Sequence, residues 1–170
     1  MLNTIKLDIA SYKKSGNLMY FPYLFLFEAG FTATFMYRIY SRLHKKSAPL
    51  KIISKLLWRF SVAINGCYLQ PNAIIGKGFK LPHPIGVVVG EGCYINDNVC
   101  IYQNVTLGKS NSGYPIIKEG CIIYPNSVVI GNITIGSNSI IAASSFVNDD
   151  VEPSSVVAGS PARTIKSNHD

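Results

Sequence analysis

The 170-residue sequence holds three histidines, four cysteines and one tryptophan, and each scarcity removes a class of chemistry. The cysteines (Cys67, Cys93, Cys100 and Cys121) form no CxxC pair, and nothing ahead of them reads as a secretory signal. Neither a zinc site nor a disulfide framework is expected; the four read as reduced, buried thiols of a cytoplasmic protein. No phosphate-binding glycine loop and no nucleophile elbow occurs. His44 and His169 stand far from any motif, which leaves His83, in "LPHPIGVVVGEG", as the one histidine with a context. Acids are few as well, nine against sixteen Lys and Arg, for a net charge of +7.

That charge is local. Through residue 65 there are ten basic residues and two acids, and the remainder is close to neutral. The basic character therefore belongs to an amino-terminal segment, and no nucleic-acid partner is expected. With 48% hydrophobic residues and a mean hydropathy of +0.21, the chain has enough apolar surface for a folded core.

What the sequence does have is a six-residue period. Val89, Ile95, Ile101 and Leu107 are six apart, and the spacing resumes at Ile117, Ile123, Val129, Ile135, Ile141 and Val147. Two positions before each stands a small or modest residue, such as Val87, Cys93, Val99, Cys121 or Ser139, with Gly, Asn or Asp in the turns. Neither a helical nor an alternating pattern gives this register, whereas a hexapeptide repeat does, and it marks a parallel β-helix. Each hexad supplies a strand and a turn, and three hexads make a triangular coil. Ten residues separate Leu107 from Ile117, so about four leave the coil as a loop at 108–116. Such a loop on a rigid solenoid is a site wall or a neutral insertion. The expected division is an amino-terminal helical segment over 1–65, a β-helix over 66–152 and a tail over 153–170.

"HPIGVVVGEGCYINDNVCIYQNVTLG", the loop, "IIKEGCIIYPNSVVIGNITIGSNSIIAASSFV" and "VVAGSPAR" together resemble the hexapeptide-repeat acyltransferases, in the serine acetyltransferase branch. The resemblance implies a mainly β fold, a left-handed parallel β-helix of about five coils with an amino-terminal α-helical segment. It also implies homotrimers, acetyl-CoA bound between subunits, and a histidine acting as general base at the position of His83. An imidazole with an ordinary pKa of about 6.5 suits that proton transfer, and flanking prolines fix its backbone. Gly108 falls where such relatives aim a backbone N–H at the thioester, though it also reads as a coil-exit glycine. Ala143 falls on the path of the CoA arm, while Arg163 and Lys166 either meet its phosphates or are solvated. No metal is expected; a zinc carbonic anhydrase on this fold needs three ligating histidines, and the repeat region has one.

Three positions depart from the serine-specific pattern. Pro82 and Tyr68 stand where those enzymes carry aspartates, and Gly113–Tyr114 where they carry an arginine–histidine pair. Without those charges a zwitterionic acceptor loses its partners, so the expected acceptor is a saccharide of capsule or exopolysaccharide type, as in the polysaccharide-cluster members that share "LPHPxG". Tyr114 and Asn104, with Tyr102 and Gln103, are candidates to stack on it and hydrogen-bond it. Serine O-acetylation and a non-catalytic β-helical scaffold are the alternatives.

Residues 18–37 are long and apolar enough to suggest a membrane helix, but Pro22 and a central Glu28 argue against a plain span. Farther on, Ile52, Ile53, Leu56, Leu57 and Phe60 make an apolar face beside Lys51, Lys55 and Arg59. Residues 18–60 are thus expected either to cap the solenoid and pack between subunits or to touch the inner face of the cell membrane.

Overall fold

The computed structural model describes residues 1–13 and 15–167; His169 and the end of the tail lie outside them. Four helices come first: α1 (Leu2–Lys13), α2 (Phe21–Phe27), α3 (Ala29–His44) and α4 (Ala48–Asn65). Glu28 breaks the apolar stretch between α2 and α3, its backbone extended at φ −116°. Among the described residues no helix is long and apolar enough to cross a membrane. Pro49 lies in the first turn of α4, where its missing N–H costs nothing, and Gly66 ends the helix in the left-handed region at φ 63°.

From Tyr68 onward the chain winds as a left-handed parallel β-helix. One face stacks Tyr68–Leu69, Val88–Val89, Thr106–Gly108, Val128–Ile130 and Phe146–Val147. A second stacks Ile74–Ile75, Tyr94–Ile95, Ile116–Ile117 and Thr134–Ile135. The third stacks Cys100–Ile101, Ile122–Ile123, Ile140–Ile141 and Ser155–Gly159, and Ala162–Ser167 folds back antiparallel on its last rung. The sequence period is therefore the coil. Leu69, Ile75, Val89, Ile95, Ile101, Leu107, Ile117, Ile123, Val129, Ile135, Ile141 and Val147 all point inward and are buried, forming the axial ladder.

The corners repeat as well. Gly78, Asn98, Gly120, Asn138 and Ser154 hold positive φ at one corner, and Gly86, Asn104, Asn126 and Ser144 at another. Asparagine is the side chain that best tolerates this region, since its amide can bond locally. Glycine is needed where the next rung's asparagine folds over it: a Cβ on Gly86 would run into Asn104 Oδ1.

The coils break step twice. The loop adds four residues between Leu107 and Ile117, as their spacing predicts, and closes on itself through Ser110 and Gly113 (N···O 3.0 and 3.2 Å). The other break is a lengthened step ahead of Val89. Eight residues separate Leu81 from Val89 where six separate Ile75 from Leu81, and Pro82–His83–Pro84 occupies the extra length.

The helices cover the first coil. Asp8 of α1 accepts from Arg38 of α3 (Nε···Oδ2 3.0 Å, Nη2···Oδ1 3.1 Å) and from Gly78 N–H (2.8 Å), while Arg38 also donates to the Ile75 and Gly76 carbonyls. On α4 the buried face is polar: Ser54, Ser61 and Asn65 turn inward, and Leu57 and Trp58 pack on the core. Ile52, Ile53, Leu56, Phe60 and Ile64 face outward beside Lys51, Lys55 and Arg59.

The cysteines are free; Cys67, Cys93 and Cys121 are buried and Cys100 half-buried. Burial pushes the Cys67 and Cys93 thiols up to about 12 and that of Cys121 to about 11. Among the described residues no cluster of His, Cys, Asp and Glu could hold a metal ion.

Candidate active site

His83 stands at the first turn of one corner of the solenoid and is exposed. Its position is set from below. The Tyr12 hydroxyl accepts from Leu81 N–H (3.0 Å) and donates to Leu81 C=O (3.2 Å), clamping the residue two before His83. Burial raises the Tyr12 pKa, so the hydroxyl keeps the proton it donates. Gly30 of α3 lies directly against the same carbonyl, with no room there for a side chain. Tyr12 and Gly30 are thus positioning residues that no sequence pattern marked.

Later coils stack on this corner. The Tyr102 ring lies 6.4 Å from that of His83, and Tyr124 stacks on Tyr102 at 5.2 Å. Asn104 donates its N–H to Ile85 C=O (3.0 Å) and its amide Nδ2 to Asn126 Oδ1 (3.1 Å). Gln103 Oε1 is buried with no protein partner. Ala142 and Ala143 follow on the next rung, Ala143 exposed, and Ala142 N–H donates to Val157 C=O (2.9 Å). Beside Val157, Ala158 pairs with Arg163 on the returning strand. His83, Asn104, Ala143 and Arg163 therefore belong to one corner and its adjoining face, read along the axis. At roughly 4.8 Å per rung the five steps span about 24 Å. Lys166, exposed, lies farther along the returning strand opposite Val156. The exposed Arg163 stands 3.8 Å from Asp149, a pair of little strength in water.

Gly108 and Tyr114 are on a different corner. Gly108 pairs with Ile130, and its C=O accepts from Gly131 N–H (3.3 Å), so its backbone is tied into the sheet. Tyr114 lies across Gly90 and Gly92; a Cβ on Gly90 would come within 2.7 Å of its ring. The two glycines of "GEG" make the bed for that ring. Tyr68 packs edge-on against Trp58 at 4.8 Å. A single chain thus does not bring His83 together with Gly108 and Tyr114.

The family profile described as "Bacterial transferase hexapeptide (six repeats)" matches residues 114–149. The serine acetyltransferase of Bacillus subtilis (strain 168) is 35% identical over 144 residues, 82% of this chain and 65% of that one. The chain spans between about half and two thirds of the length of the curated relatives it matches. Among solved structures, a bacterial hexapeptide-repeat serine O-acetyltransferase from Brucella melitensis superposes with a TM-score of 0.86 at 34% identity, covering 97% of this chain and 67% of that one. The serine acetyltransferase of Brucella abortus strain S19 in complex with coenzyme A gives 0.84 at 33%, covering 98% and 66%.

These relatives are serine acetyltransferases and not polysaccharide O-acetyltransferases, which overturns the expected saccharide acceptor. That expectation rested on charges missing at Pro82, Tyr68 and Tyr114. The physical error lay in treating three positions as the only places from which a charge can reach an acceptor. Alike in coil, corner and loop over nearly its whole length, the chain belongs to the hexapeptide-repeat transferases.

Proposed function

We propose that the chain is an acetyl-CoA-dependent O-acetyltransferase whose acceptor is the hydroxyl of serine. One observation carries the reading: an exposed, proline-fixed His83 begins a corner column that ends at Arg163, in a chain that shares its fold and about a third of its residues with serine acetyltransferases.

His83 acts as general base. Its neutral imidazole takes the proton of the serine hydroxyl as that oxygen attacks the thioester carbonyl, and a C–O bond forms. When the tetrahedral adduct collapses, the C–S bond breaks and the imidazolium returns the proton to the departing thiolate. The products are O-acetylserine and CoA, and the enzyme ends in its starting protonation state. The small Ala142–Ala143 rung leaves clearance for the pantetheine arm, and Arg163 and Lys166 supply positive charge for its phosphates. Gly108 contributes clearance beside the loop, where a side chain would stand 3.3 Å from Ile130 Cγ2. In this reading the chain assembles as a homotrimer, with the His83 corner of one copy facing the Gly108–Tyr114 corner of the next and the reaction taking place in the groove between them.

The test is thiol release from acetyl-CoA with L-serine as acceptor. Wild type should turn over and His83→Ala should lose about 10²–10⁴-fold in kcat with its melting temperature unchanged, because His83 is exposed. Full activity in His83→Ala, or no turnover of serine by folded wild type, would overturn the reading.

A further inference from the structure

The helices leave an apolar surface uncovered at the end of the solenoid they cap. Ile52, Leu56, Phe60 and Ile64 step by four along α4, so they share one face of it, and each is 52–66% exposed. Met19, Leu26 and Phe27, in α2 and the turn before it, are 71–82% exposed. Both segments rest on α3. Thr32 Oγ1 donates to Phe25 C=O (2.7 Å) and Phe35 meets Phe21 edge-on at 4.9 Å, while Ser54 Oγ of α4 donates to Tyr40 C=O (2.7 Å). At about 100° per residue, the half-buried Ile39 and Leu43 fall on the α3 face between Phe35 and Tyr40. Folded chains rarely leave so much apolar surface in water, and such a patch marks a docking surface.

The charge around it says which partner fits. Lys51, Lys55 and Arg59, all exposed, form the adjacent row of α4, and α4 has no acid. Lys51 and Lys55 line a cavity with Gln70 and Glu91 of the coils, so the basic row lies on the side of α4 toward the solenoid and the apolar row beyond it. Only two acids occur through residue 65, and one of them, Asp8, is buried on Arg38. From the apolar row through the basic row to the coils, the side chains follow the order of acyl chains, anionic headgroups and water. A second copy docked by the same face would set one basic row against another, and an uncharged apolar partner would leave that row unanswered.

We propose that this end of the molecule docks on the surface of an anionic lipid bilayer. The exposed apolar side chains of α2 and α4 enter the outer acyl region, and the lysine and arginine stems reach back to the phosphates. The contact is peripheral: α2 has seven residues, too few to span, and α4 keeps one side on α3. The coils, and His83 with them, stay in water. Docking needs no part of the acyl-transfer reading.

The test is flotation of the full chain with vesicles of equal parts phosphatidylglycerol and phosphatidylcholine, set against phosphatidylcholine alone. The protein should float with the anionic vesicles, and the bound fraction should fall as salt is raised. Lys51→Gln/Lys55→Gln/Arg59→Gln should weaken that partition by at least about tenfold, and Leu56→Ser/Phe60→Ser should abolish it. Ile74→Ser, which removes an exposed apolar side chain from a coil, should float as wild type does. All the substituted side chains are exposed, so each variant should keep its melting temperature. If the serine variant melts lower, the charge variant and the salt dependence decide alone. Folded wild type that stays off anionic vesicles overturns the proposal, and so does undiminished flotation of the charge variant. Sedimentation velocity without lipid tests the other occupant: the serine variant should keep the wild-type assembly, and a shift to smaller species would give the face to a second copy. His83→Ala should float normally while it loses turnover, so a failed reaction and a failed docking surface are read separately.

Discussion

Asp8 and Arg38, thirty residues apart and both nearly inaccessible to solvent, join α1, α3 and the first coil in one hydrogen-bonded unit. The guanidinium reaches past the carboxylate to the carbonyls of Ile75 and Gly76, and the carboxylate reaches past it to Gly78 N–H. The open end of the solenoid, where rung hydrogen bonds would otherwise lack partners, is closed this way.

Removing either partner should therefore loosen the helices from the coil. Arg38→Ala leaves a buried carboxylate and two carbonyls behind and should cost about 3–5 kcal/mol in urea unfolding. Asp8→Ala leaves the guanidinium with its two carbonyls and should cost less. A loss below about 1 kcal/mol in both variants would mean that the pair contributes nothing net to the docking.

Tyr12 connects that docking to catalysis. Its hydroxyl satisfies both backbone groups of Leu81, two residues before His83. Tyr12→Phe should lower stability by about 1–3 kcal/mol and kcat by about tenfold, while KM for acetyl-CoA stays unchanged. Equal kcat in the variant would show that Pro82 and Pro84 alone hold His83.

Much of this fold could be read from the sequence because the aliphatic ladder has a fixed period that only a coil explains. The loop at 108–116 was legible for the same reason, as a break in that count. The bulge at Pro82–His83–Pro84 was passed over because the ladder was counted from Val89, although Leu69, Ile75 and Leu81 keep the same six-residue step ahead of it. The outward-facing apolar stripe of α4 shows another limit. Amphipathicity tells which residues lie together, and a buried Ser54, Ser61 and Asn65 show that the polar side was the one covered. At the site, the prolines drew attention to His83, but its role and that of Ala143 came from the family resemblance. Tyr12 and Gly30 meet Leu81 only in three dimensions. The saccharide acceptor was inferred from missing charges alone, and uncharged residues at three positions do not exclude an acceptor that carries charge.

Asn104 illustrates a position with two demands. Its φ of 56° places it in the left-handed region, and its amide bonds Asn126. Asn104→Ala should cost about 1–2 kcal/mol, and Asn104→Gly should recover most of the backbone part. If the Gly variant is stable yet raises KM for the acceptor, the amide also binds substrate. Unchanged KM would confine Asn104 to shaping the corner.

The buried thiols set an alkaline limit on the fold. Cys67 and Cys93 ionise near 12 in the native state and Cys121 near 11, against about 8.5 for a free thiol. Above the unfolded value the unfolded chain gives up these protons and the native chain keeps them. The native state then binds more protons, so stability falls as pH rises through the window from about 9 to 11, by about 1.4 kcal/mol per pH unit for each thiol. Burial raises the Tyr12 and Tyr40 hydroxyls too, which adds to the slope above about pH 10. Urea midpoints measured between pH 8 and 11 should show this decline, and replacing the three cysteines by alanine should flatten its onset. At pH 8 the same three thiols should resist a thiol reagent until the protein unfolds. A midpoint that stays level to pH 11 would mean that these sulfurs reach solvent in the native state.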